Sequence, residues 1–99
     1  MVVELIFAPE VEQDIGEAYD WYERRRPGLG EDFLSCVDAC IQSLVRTPDL
    51  YAKVHQEYRR AIVRRFPYVV FFEHDGRAVT VFGVLHTSRN PDKWRECLP

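Results

Sequence analysis

No stretch of this chain stays apolar for the roughly 20 residues that a membrane-spanning helix needs, so no membrane partner is expected. The opening MVVELIFAPEVEQD has neither a basic start nor a long apolar core. No secretory signal is expected, and the expected location is the cytoplasm. Cysteine is sparse: Cys36, Cys40 and Cys97 are odd in number, and the first two sit four apart on a helical pattern. A disulfide framework is therefore not expected. The paired Cys or His spacing that zinc requires is also missing, so neither a metal nor a cofactor is expected, and the first two thiols read as helix packing. Lysine is absent between Lys53 and Lys93. Internal repeats, linkers and low-complexity segments are absent too.

What is present is core material. The 99 residues are 46% hydrophobic and 13% aromatic, with 29% charged, which suits one domain spanning 1–99 with one core. The net charge of −3 hides an asymmetry: residues 1–45 hold three basic and ten acidic groups, whereas residues 46–99 hold ten basic and six acidic ones. One part of the surface should repel polyanions and another could attract them, although strand arginines also serve to solvate a sheet.

The pattern along the chain is α+β. Residues 2–7 form a short β-favouring run, the first expected strand. Pro9 suits a first helical position, and Val11, Ile15, Ala18, Tyr19 and Tyr22 recur at steps of three and four. Acidic residues crowd the start of this helix and Arg24, Arg25 and Arg26 its end, the polarity that complements the helix dipole, before Pro27 and Gly28 close it. Phe33, Val37, Cys40, Ile41 and Leu44 mark a second helix that Thr47 and Pro48 stop. A short link makes the two an antiparallel helical hairpin over residues 9–47. Beyond the segment 49–57 the spacing predicts a three-stranded antiparallel meander from the runs 59–66, 68–74 and 78–86. Pro67 bends the chain between the first two, and Asp75-Gly76 predicts a type I′ hairpin between the last two. The most apolar run, 78–85, belongs inside the sheet, with the helices on one face and the first strand at one side.

This order of elements, together with the stretches FAPEVEQDIGEAYDWYERRRPGLGEDF, RRAIVRRFPYVVFFEHDGRAVTVFGVLH and RNPDKW, resembles the RelE/ParE toxin superfamily over nearly the whole length. The resemblance implies a small α+β toxin of a type II toxin–antitoxin system, held in a hetero-oligomer with an antitoxin encoded by the adjacent gene. It implies either of two activities: poisoning of DNA gyrase in the ParE branch, or ribosome-dependent mRNA cleavage in the RelE branch. A degenerate module that only binds antitoxin is a third reading.

Phosphodiester cleavage through the ribose 2′-hydroxyl needs a base, an acid and cationic donors. His86 and Arg89 fall where the resemblance places cleavage residues, so they are the catalytic pair if the chain is a nuclease. Trp94 stands about where RelE-type nucleases carry a catalytic tyrosine, and Tyr68 about where they carry an arginine. Neither replacement keeps that chemistry, which favours the ParE reading. A histidine ending an apolar strand is also a common partly buried structural residue. For a binding poison the expected target surface is Arg59, Arg60, Arg64, Arg65, Tyr68 and Trp94, with the strand arginines outweighing the helix-end run Arg24 to Arg26. Trp21 lies off the main apolar stripe, which points to a protein partner if it is exposed. With Tyr22, Phe33 and Val37 it forms the expected antitoxin-binding set, at a groove of the hairpin or a sheet edge.

Overall fold

The computed structural model describes residues 4–87. The described residues begin with β1 (Glu4–Phe7) and run directly into α1 (Pro9–Arg25) and α2 (Leu29–Arg46). A 3-10 turn (Pro48–Leu50) leads to β2 (Lys53–His55), β3 (Tyr58–Ile62), β4 (Tyr68–His74) and β5 (Ala78–His86). The five strands form one sheet in the order β1-β5-β4-β3-β2, in which β1 runs parallel to β5 and the other pairs are antiparallel. The expected architecture holds, with β5 inside the sheet and β1 at one edge.

Three details differ from the sequence reading. The segment 49–57 contains a strand, β2, which pairs with β3 through an irregular register. The expected strand 59–66 ends at Ile62, and the link that follows it includes Arg65 at a positive φ of 70°. The β4–β5 hairpin places Gly76 and Arg77 at its two turn positions, with Asp75 N–H donating to the Ala78 carbonyl. Only Gly76 has a positive φ, 91°, so the hairpin lacks the two such residues that a type I′ turn needs. The Asp75 carboxylate accepts the Arg77 and Ala78 N–H groups at 2.9 and 2.8 Å, which holds its pKa below the ordinary value.

The helix joint is built by one side chain. Gly28, at φ 91°, has no side chain with which to cap α2. Glu23 of α1 supplies the missing acceptor: its carboxylate takes the Gly28 N–H at 3.1 Å and the Gly30 N–H at 2.9 Å. This satisfies two of the donors that a helix start leaves open and places negative charge against the positive dipole end. Gly30 must stay small, since a Cβ there would stand 2.9 Å from the Tyr19 ring.

Packing then follows the helical stripes. Phe33, Leu44, Val11 and Ile41 meet Val70, Phe72, Val79, Val81 and Val84 between the helices and the sheet. At one end Tyr22, Phe33, Phe66 and Tyr68 form an aromatic cluster, with centroids 4.8 Å apart for Tyr22–Phe66 and 5.0 Å for Phe33–Tyr68. Cutting a fully buried ring such as Phe33 to alanine should cost about 3–5 kcal/mol. The opposite face of the sheet carries a smaller cluster of Val69, Phe71 and Leu85, with Val54 of β2 against it. Central β4 is thus buried on both sides, which explains its unbroken apolar run.

Candidate functional site

The four arginines expected to share a target surface play different parts. Arg59 stands opposite Phe72 on the helix side of the sheet, and its side chain is 15% exposed. Its Nη1 donates to the Tyr51 carbonyl at 2.7 Å, and its Nη2 lies 3.5 Å from Asp49 Oδ1. His74 Nδ1 reaches the same Asp49 oxygen at 3.5 Å. This cluster clamps the 3-10 turn and β2 onto the end of the sheet. Arg60 is exposed on the other face, opposite Phe71. Arg64 and Arg65 lie in the β3–β4 link and are exposed.

Arg65 also removes the expected separation between strand arginines and helix-end arginines. Its guanidinium is 3.8 Å from Asp32 Oδ2, and that oxygen is 3.7 Å from Arg26. The two groups therefore converge on one carboxylate of α2, so charge by sequence half does not map onto separate surfaces.

Tyr68 is a core residue, 4% exposed, and offers no surface to a target. Its ring stands edge-on to half-buried His86, with centroids 5.2 Å apart at 82°. These two face each other across the β4–β5 pair. Arg89 and Trp94 lie outside the described residues. Among the described residues, no group of three or more His, Cys, Asp or Glu side chains could hold a metal ion. Cys40 is turned toward the Ile62 carbonyl at 3.8 Å, and burial pushes its thiol up to about 11.

The expected antitoxin-binding set also divides. Trp21 is 38% exposed, and the Arg25 guanidinium lies 4.0 Å from its ring centroid. Tyr22, Phe33 and Val37 are buried in the core and unavailable to a partner in this fold. The helical periodicity found the face that packs on the sheet.

Sequence reasoning missed the junction of β1 with α1. Phe7 is 47% exposed there, and an apolar groove of about 400 Å³ is lined by Phe7, Ala8, Pro9, Val11, Glu12 and Ile15. A large aromatic residue at the end of an edge strand, just before the helix-opening Pro9, was the available signal. Asp14, further along α1, turns to the sheet and accepts the Val84 N–H at 3.4 Å.

Comparison with known proteins adds three findings. The sequence model described as "ParE toxin of type II toxin-antitoxin system, parDE" matches residues 5–91. Toxin ParE2 of Mycobacterium tuberculosis, from strains CDC 1551 / Oshkosh and ATCC 25618 / H37Rv, is 28% identical over 83 residues, covering 83% of this chain and 79% of the relative. A solved chain from the chromosomal ParDE TA system of P. aeruginosa superposes with a TM-score of 0.75 at 15% identity, covering 85% of this chain and 95% of that one.

Proposed function

Because the chain belongs to the ParE toxin family of type II toxin–antitoxin systems, we propose that it arrests growth by binding and poisoning DNA gyrase, and that a cognate antitoxin neutralises it. It acts as a single toxin domain in the cytoplasm, where gyrase works on the chromosome. The observation that carries this reading is the burial of Tyr68. About where RelE-type nucleases carry an arginine, this chain packs a ring against Phe33 and supplies no cation to a phosphate. A binding poison needs no proton carrier, only a shaped surface, and of the four expected arginines the exposed Arg60 and Arg64 are the two outside the ion pairs that hold Arg59 and Arg65. Neutralisation by an antitoxin is supported by apolar side chains left at the surface, among them Phe7 and Trp21.

The test is to give purified toxin to gyrase with relaxed plasmid and, in parallel, to ribosomes translating a defined message. Loss of supercoiling with the message intact is the expected result. Cleavage of the message with normal supercoiling would replace this reading with ribosome-dependent mRNA cleavage.

A further inference from the structure

Gly16 stands in the middle of α1, where glycine costs roughly 1 kcal/mol relative to alanine. Nothing inside the fold requires it. Its φ is not positive, and a Cβ built there would meet no atom within 4 Å. Gly16 lies one turn beyond Glu12 and next to Ile15, both of which line the groove at the β1–α1 junction. A smooth helix surface beside an open apolar groove is what the close approach of another backbone needs.

The charge around this groove is of one sign. The ionisable residues of β1 and of the first half of α1, Glu4, Glu10, Glu12, Asp14 and Glu17, are all carboxylates, and Glu12 lines the groove itself. Neighbouring β5 brings no charged residue except a titratable histidine at its end, so it supplies no compensating lysine or arginine. Glu10 and Glu12 are exposed and have no ion-pair partner among the described residues. Asp14, by contrast, is engaged with β5. An occupant must therefore be apolar where it enters the groove and cationic where it leaves.

We infer that the β1–α1 junction is the docking site for the antitoxin, through a segment that seats a bulky apolar side chain among Phe7, Pro9 and Ile15, passes closely over Gly16, and sets a lysine or arginine on Glu12. This rests on the toxin reading above and adds the place and the chemistry of the contact.

The probe is the full-length product of the reading frame adjacent to the toxin gene, titrated against purified toxin at low and high salt. Gly16→Gln should stabilise the free toxin against urea yet weaken binding at least about tenfold, a combination that general damage to the fold would not produce. Phe7→Ala should weaken binding to a similar degree at both salt concentrations. Glu12→Lys should weaken it mainly at low salt, while Asp38→Lys, an exposed control on α2, should change it by less than about threefold. Unchanged affinity in the Gly16, Phe7 and Glu12 variants, with tight binding by the wild-type chain, would overturn this inference and leave the toxin reading standing. A concentration-dependent toxin dimer that Gly16→Gln disperses would also overturn it, by making a second copy the occupant. A wild-type chain that neither binds this probe nor arrests growth would overturn both.

Discussion

Arg59 donates from Nη1 to the backbone carbonyl of Tyr51 at 2.7 Å, joining β3 to the residues that lead into β2. The same guanidinium faces Asp49, and Tyr51 packs its ring edge-on against Phe72, with centroids 5.7 Å apart. Removing this arginine would leave a part-buried carbonyl without its charged donor. Arg59→Ala should lower stability by about 1.5–3 kcal/mol, the usual worth of a hydrogen bond to a charged group. Arg60→Ala, on the exposed face of the same strand, should stay within about 0.5 kcal/mol. Urea unfolding checks both values. At matched folded protein the effect on growth arrest should run the other way, with Arg60→Ala the more damaging.

The β4–β5 turn gives a pH dependence with a defined sign. Asp75 has its pKa lowered by the N–H groups of Ala78 and Arg77, so the folded state prefers the ionised carboxylate. Its contribution is present above the ordinary carboxylate range and is lost as pH falls through the lowered folded value. Asp75→Asn keeps an acceptor oxygen but removes the charge. The wild-type chain should therefore have the higher Tm at neutral pH, and the two melting curves should converge in acid. A difference in Tm that persists at low pH would mean that the carboxylate's charge is not what holds the turn.

The strands were legible where apolar runs meet hard stops. Pro67 and Asp75-Gly76 delimit β4 and β5, and their bounds agree with the sequence pattern at Tyr68–His74 and Ala78–His86. Strand β2 was not legible, because three residues with Lys53 and His55 at the ends carry almost no pattern, and only pairing with β3 defines them. The surface was hidden for a related reason. A stripe such as Tyr22, Phe33 and Val37 reports that a helix buries one face, but it does not say whether the fold or a partner covers that face. The groove at the β1–α1 junction is lined by residues of a strand end and a helix start, so no single period marks it.

Cys40 tests how closely α2 is held against β3. Desolvation raises its pKa to about 11, so its thiol stays protonated through the neutral range and its reactive thiolate is scarce. With iodoacetamide near pH 8, peptide mass mapping should show Cys40 modified far more slowly in folded protein than in urea. Equal rates in the two states would mean that the helix opens readily from the Ile62 end of β3.

His86 decides between the two target classes, and its surroundings make the variant interpretable. The imidazole is half-buried at the end of β5, edge-on to Tyr68, and so has a packing role whatever else it does. Glutamine can occupy that space and hydrogen-bond but cannot shuttle a proton near neutral pH. If the chain poisons gyrase by binding, His86→Gln should leave growth arrest within a few-fold of wild type once expression and stability are matched. If His86 is the proton carrier of a nuclease, the same change should cost about 10² to 10⁴ in cleavage rate, the usual contribution of one general acid or base. Stability is read separately by urea unfolding, so a loss of toxicity that follows unfolding is distinguished from a loss of chemistry. Cleavage of message on ribosomes by the wild-type chain with supercoiling left normal, abolished in a fully folded and non-toxic His86→Gln variant, would assign the toxin to mRNA.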